Sequence, residues 1–174
     1  MLFASPNTIG IKATIGSAGG PLAGIAIWHR VKKGDRIFHL KRRNTAPEAL
    51  AAETDEDRRA WAAVNDGWEG MWGSWDKARE EIMGDTPHLL LAPLWVKPEY
   101  QSRGIGSKLL QQMLDRADED GDALYLEASR AGQPLYERRG FVIVGKSEAY
   151  PEMVRWNKEV RERKAAEAAA KSTS

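Results

Sequence analysis

Two glycines stand two apart in the stretch Gln101-Ser102-Arg103-Gly104-Ile105-Gly106-Ser107-Lys108, between a strand-like run that ends at Lys97-Pro98 and a helix-like run. A strand, a loop and the first turn of a helix in that order make an anion site. The first amides of a helix have no intrahelical acceptor, and the helix dipole adds partial positive charge there. Gly104 and Gly106 let oxygens approach the backbone without a Cβ in the way. Arg103 and Lys108 add charge of the sign a pyrophosphate needs. Two familiar phosphate loops do not fit. The stretch lacks the Gly-Lys-Ser/Thr ending of a P-loop. The third glycine of a dinucleotide fingerprint is replaced by Leu109, and too little chain follows Glu127 for a Rossmann domain.

Composition narrows the setting. At 174 residues the chain is expected to form one domain, here 1–156, with an exposed Ala/Lys/Glu-rich tail over 157–174. Formal charges nearly cancel at +1, so nothing draws the whole molecule to nucleic acid or to a membrane surface. With no cysteine, a disulfide framework, a Cys-ligated metal and a Cys nucleophile are excluded, and no metal site is expected. The longest apolar run, Leu89 to Val96, is far below the ~18 residues of a membrane span. The opening residues lack the basic and apolar regions of a signal peptide. The expectation is a soluble cytoplasmic protein.

The elements that must position the glycine loop follow from pattern. Thr8–Ile15 and Leu22–Trp28 are apolar or β-branched runs around Gly-Ser-Ala-Gly-Gly-Pro, a hairpin. Arg30, Lys32, Lys33, Arg36, Lys41, Arg42 and Arg43 then face one acid, Asp35; this is either a solvated loop or a site for an anionic partner. Pro47 suits a helix start. From there to Gly84 the pattern is helical, with Trp61, Val64, Trp68, Trp72 and Trp75 on one face, and Gly67, Gly70 and Gly73 predict two helices with a kink or turn between. The Trp stripe is either packing core or the lining of an acceptor pocket that would include Trp68 and Trp72. His88 to Val96 reads as a strand buried on both faces, and Pro93 inside it predicts a bulge or an edge. An amphipathic helix of Leu109, Leu110, Met113, Leu114 and Ala117 closes at Gly121. Ala123–Ser129 alternates with period two, Pro134 opens a short helix, and strands follow at Phe141–Lys146 and Glu152–Trp156.

Read together, Gln101-x-x-Gly104-x-Gly106, the strand before it, Leu124-Tyr-Leu-Glu-Ala-Ser129 and Leu135-Tyr-Glu-Arg-Arg-Gly-Phe141 resemble the GNAT superfamily of acetyl-CoA-dependent N-acetyltransferases. The resemblance runs from His88 to Gly145. It implies an α/β (α+β) fold with a mixed, mostly antiparallel sheet, whose family strands four and five splay apart. It implies that Gln101, Ser102, Arg103, Gly104, Ile105, Gly106 and Ser107 bind the coenzyme pyrophosphate. It further implies that the pantetheine arm pairs with backbone at Leu94, Trp95 and Val96, and that Tyr136 protonates the departing thiolate. A phenol suits that task, being neutral at pH 7 and able to donate; the alternative is a packing tyrosine.

An ammonium has no lone pair, so amine acetylation also needs a base. Family members often place a carboxylate on strand four or five. Leu89 to Leu94 offers none, which leaves Glu127 first and His88 second; a purely structural carboxylate is the competing reading of Glu127. The family's opening strand and two helices are expected to have no counterpart before Thr8; residues 30–84 or a partner subunit then wall the acceptor site, or the site is unusually open. The expected reaction is acetyl transfer from acetyl-CoA directly to a primary amine of a small molecule, with a homodimer as the assembly to test. The alternatives are a non-catalytic CoA-binding module and a protein or peptide N-acetyltransferase.

Overall fold

A computed structural model describes residues 7–32, 51, 52 and 54–162. Six strands form one sheet in the order β1-β2-β3-β4-β6-β5, with β1 Thr8–Thr14, β2 Leu22–Val31, β3 His88–Val96, β4 Ala123–Glu127, β5 Val142–Ile143 and β6 Glu152–Arg155. Every pairing is antiparallel except that of β3 with β4. Among the described residues the sheet is accompanied by α1 Asp55–Met83, α2 Ile105–Asp120 and α3 Gln133–Glu137, with a short helical turn at 158–162.

The sheet has a different partner on each face. Leu109, Leu110, Met113, Leu114 and Ala117 form the buried stripe of α2. They pack with Trp28, Leu89, Leu91, Leu124, Leu126 and Met153 into one core cluster. Complete burial of such a side chain stabilises by about 1.5–3 kcal/mol. The alternate residues of the same strands, Val31, Leu90, Ala123, Tyr125 and Val154, turn the other way and meet Met83 and Ile82 at the end of α1. The period-two alternation of a strand makes both faces apolar here, which is why β3 and β4 read as continuous apolar runs.

The sheet opens where the chemistry was expected. The parallel ladder of β3 and β4 has only the rungs His88–Ala123, Leu89–Leu124 and Leu90–Tyr125. Beyond Leu90, β3 stays paired with β2 and leaves β4 behind. The register with β2 slips between Ala26 and Trp28, opposite Leu94 and Leu91. One extra residue of β3 is accommodated there, at Ala92–Pro93, so the proline stands at a bulge, as its missing N–H requires.

Two expectations change. The helix predicted to break at its glycines runs unbroken from Asp55 to Met83 through Gly67, Gly70 and Gly73. Glycine weakens a helix by about 1 kcal/mol per site but does not clash with it as proline does. The strand expected over Phe141–Lys146 is reduced to Val142–Ile143. The start at Pro47 and the basic run beyond Lys32 lie outside the described residues. Arg30, its first member, is held by Asp120 at 3.1 Å and Asp122 at 2.7 Å.

Candidate active site

The loop between β3 and α2 is built by local bonds. A 3-10 turn, Pro98–Tyr100, leaves β3, and Gln101 closes it with its amide on the Pro98 carbonyl at 3.2 Å. The Gln101 side-chain amide donates to the Val96 carbonyl at 3.0 Å. This glutamine therefore braces the loop with both its donors. Ser102 (φ 58) and Gly104 (φ 76) carry left-handed backbones that turn the chain into α2. For Gly104 that conformation costs nothing sterically, and a Cβ built there meets no atom within 4 Å. The first helical bond comes from Lys108 N–H to the Gly104 carbonyl at 3.0 Å. The amides of Ser102, Arg103, Gly104, Ile105, Gly106 and Ser107 precede it and find no acceptor among the described residues. They form a cluster of donors suited to an anion.

Arg103 lies over the Tyr100 ring, 5.6 Å from its centroid. Arg139 braces the first turns of α2. It donates to the Ser107 hydroxyl oxygen at 3.0 Å and to the Gln111 side-chain oxygen. Nothing in the linear pattern singled Arg139 out, since its partners stand about 30 residues away in sequence and the contacts arise only when α3 returns to α2.

Gly106 sits where the opening narrows. A Cβ there would touch Leu94 and Val96 of β3 and Leu135 of α3 at 3.7–3.8 Å. The start of α2, the end of β3 that has left β4, and α3 thus converge on one apolar patch beside the free amides. Leu94 and Val96 line it, whereas Trp95 turns to the other face and is 44% exposed. The opposite side of Leu94–Val96 is paired with Ala26, Ile25 and Gly24. On the β4-facing edge the Val96 carbonyl takes the Gln101 side chain, and the rest of that edge beyond Leu90 pairs with no strand.

Tyr136 belongs to the α2 face. It is 7% exposed, packs edge-on to Phe141 at 5.7 Å, and its hydroxyl has no partner among the described residues. Burial pushes its phenol up to about 12, so it carries its proton at neutral pH. Glu127 is the last residue of β4 and lies on the α1 face with Tyr125. Burial raises its carboxyl to about 7, against the opposing pull of Tyr125 and of the Arg79 guanidinium. Tyr136 thus belongs to the α2 face of the sheet and Glu127 to the α1 face, the first protonated at neutral pH and the second raised toward it by burial.

His88 is not brought to this opening. It stands at the closed end of the ladder, paired with Ala123 and 1% exposed, and its Nδ1 bonds the Thr86 carbonyl at 2.7 Å. Burial holds its imidazole down at about 4. The side chains of Trp68 and Trp72 lie outside the described residues. Of the Trp stripe, Trp75 is described. It packs on Tyr150, ring centroids 5.1 Å apart, in the loop that leads to β6. Tyr150 precedes Pro151, whose carbonyl takes the Ala128 amide at 3.0 Å. This aromatic pair therefore borders the Glu127 end of the opening. Among the described residues no group of three or more His, Cys, Asp or Glu could hold a metal ion.

The model of the Acetyltransferase (GNAT) family matches residues 25–141, which span the hairpin's second strand, the glycine loop, β4 and α3. The chain belongs to this family. GNAT proteins are acetyltransferases that use acetyl-CoA. No curated protein matches its sequence. Solved structures similar to it include mosquito arylalkylamine N-acetyltransferase like 5b, 17% identical, with a TM-score of 0.53 over 83% of this chain and 73% of that one. Arylalkylamine N-acetyltransferase 2 from Aedes aegypti is 16% identical, TM-score 0.53, over 84% and 72%. The histone acetyltransferase HPA2 and related acetyltransferase structure from Corynebacterium glutamicum is 19% identical, TM-score 0.48, over 87% of this chain. The chain spans 66% of that protein's length. At these identities the likeness concerns the GNAT fold, with its mixed, mostly antiparallel sheet. Among the described residues no helix is long and apolar enough to cross a membrane.

Proposed function

We propose that the chain transfers acetyl from acetyl-CoA directly to a primary amine of a small molecule. The observation that carries this reading is the opening between β3 and β4, with free amides at its α2 end, the protonated Tyr136 on one face and Glu127 on the other. The amides of Ser102 to Ser107 would hold the coenzyme pyrophosphate. The unpaired edge of Leu94–Val96 would align its pantetheine arm, and Leu94, Val96 and Leu135 would exclude water from it. The thioester supplies the activated acetyl group.

In this reading Glu127, with a pKa near the working pH, takes a proton from the acceptor ammonium directly or through one water. The freed nitrogen lone pair then attacks the thioester carbonyl carbon. The N–C bond forms, the C–S bond breaks, the departing sulfur takes the Tyr136 proton, and the second proton of the attacking nitrogen passes, directly or through water, to the Tyr136 phenolate and restores it. No covalent enzyme species is needed. Trp75 and Tyr150 would flank the acceptor where it meets Glu127. The end of α1, which comes between the hairpin and β3 in the chain, supplies a wall on that face.

The test is release of free CoA across an amine panel, with thermal shift as the binding control. Acetyl-CoA raises the Tm of wild type by mass action. Gly104→Asp loses that shift, because a carboxylate stands before the amides, whereas Gly104→Ala, with the same backbone strain and no charge, keeps part of it. A wild-type protein with no shift at millimolar acetyl-CoA would overturn the reading. CoA release with peptides alone would move the acceptor class instead.

A further inference from the structure

The α1 face of the sheet buries more polar chemistry than packing requires. Arg79 is 3% exposed. Its one ion pair among the described residues is with Asp76, one helical turn away, at 3.4 Å, and its Nε has no hydrogen-bond partner. Nε2 of the buried His88 has no partner among the described residues either. A buried guanidinium that leaves a donor unused is costly, and such costs are kept where a charge serves the site.

The register of α1 on the sheet shows what that charge faces. Met83 and Ile82 seat the end of α1 on Val31, Leu90, Ala123 and Tyr125. The chain then turns into β3, and β4 runs parallel to β3, so α1 runs back along β4. One turn back from Met83 is Arg79, about 6 Å along the helix. Two residues on from Ala123 is Tyr125, about 7 Å along the strand. A further turn brings Asp76 and Trp75 level with Glu127, in agreement with the contact of Trp75 on Tyr150 beside the end of β4. The stripe Met83, Arg79, Asp76 thus lies over the stripe Ala123, Tyr125, Glu127.

We propose that Asp76 and Arg79 are positioning residues for Glu127: the charge pair of half-buried Asp76 and buried Arg79, laid along Tyr125 and Glu127, sets how readily the Glu127 carboxyl takes up and gives back a proton. The inference rests on the reading of Glu127 as the base. The charges act in opposite senses. Arg79 favours the carboxylate and Asp76 disfavours it, against a background of burial that raises the carboxyl. Burial also raises Asp76 itself, with Arg79 opposing. The other titratable or charged groups on this face are Tyr125 on β4, Glu152 opposite Glu127 on β6, His88 on β3, His29 on β2 and Glu80 on α1. His29 is engaged by the Thr8 hydroxyl at 3.1 Å, and the Glu152 carboxylate accepts the Ser147 amide at 3.2 Å.

The experiment is a carboxyl carbon-13 titration of Glu127 by NMR in wild type, Arg79→Met and Asp76→Asn, with the pH profile of kcat/KM beside it. Arg79→Met moves the Glu127 midpoint up by about half a pH unit or more, and Asp76→Asn moves it down. A role in packing alone would not give opposite signs. Midpoints unchanged in both variants, or moved in the same direction, overturn the inference. Should Arg79→Met not fold, Asp76→Asn, at a half-buried position, decides it alone by the direction of its shift. If the midpoints move as expected while the acid limb of kcat/KM ignores them, the positioning stands and the reading of Glu127 as base falls.

Discussion

Glu127 carries the sharpest consequence at the scale of single residues. Its carboxyl is raised to about 7 chiefly by burial. A group raised in the folded state contributes stability that is complete below its unfolded pKa, about 4.5, and is lost as pH rises through 7. Glu127→Gln should therefore be more stable than wild type at pH 8, by about 1–3 kcal/mol, and melt at a higher Tm. The advantage should close as pH falls below about 4.5. Thermal melts at several pH values check it, and a variant no more stable at pH 8 would show that the carboxylate is not held at a cost. His88 works with the opposite sign, because its lowered imidazole removes stability as pH falls from about 6.5 toward 4. In the Glu127→Gln background that loss should stand out. Both residues were legible as titratable candidates in the sequence. Their difference in role was not, since it depends on which end of the β3–β4 ladder each occupies.

Among the elements, α1 departs most from its sequence pattern. Three glycines in seven residues argue for an interruption, yet the helix continues through all of them. Most helical stability in a protein comes from packing, here of Met83, Ile82 and Arg79 on the sheet, and that outweighs a local propensity of about 1 kcal/mol per glycine. Gly73 is exposed, and a Cβ added there meets nothing within 4 Å. Gly73→Ala should stabilise the protein by about 0.5–1 kcal/mol, read as a higher urea midpoint with an unchanged m-value. A loss of stability would mean that the glycine is needed by contacts of the native helix. By contrast α2 was written plainly in the sequence. Its apolar stripe, the glycine before it and Gly121 after it (φ 72, amide on the Ala117 carbonyl) are all local signals.

Across the whole molecule, one ion-pair cluster ties the last strand to the helix that carries the glycine loop. Arg155 of β6 grips Asp118 of α2 with both terminal nitrogens, at 2.9 and 2.6 Å, and donates its Nε to the Arg139 carbonyl at 3.1 Å. Arg161, beyond the last strand, adds a third bond to Asp118 at 2.6 Å. The start of the segment expected as an exposed tail is helical, held to α2 through Arg161, with the Asn157 side chain accepting the Val160 amide. The hydrogen bond from Arg155 holds the Asp118 carboxyl below its usual range. Such a group stabilises above the ordinary carboxylate pKa, and the contribution is lost as pH falls through its lowered value. Asp118→Asn should lower the Tm at pH 7, with the difference from wild type shrinking below about pH 4. A constant difference across that range would remove the ionic part of the contact.

What the sequence by itself determined was local or periodic: the glycine loop before an amphipathic helix, the alternation in β4, the proline that forces a bulge, and the block around Tyr136. These signals work because each depends on neighbours within a few residues, where backbone sterics and the strand or helix period decide the outcome. Only the tertiary structure decided which residues share the site. β3 parts from β4 after Leu90, the chain from α3 onward brings Leu135 and Arg139 back to the start of α2, and α1 sets Trp75 against Tyr150 beside the end of β4. Those meetings depend on burial and charge between segments far apart in the chain. No window of sequence contains both partners of any of them.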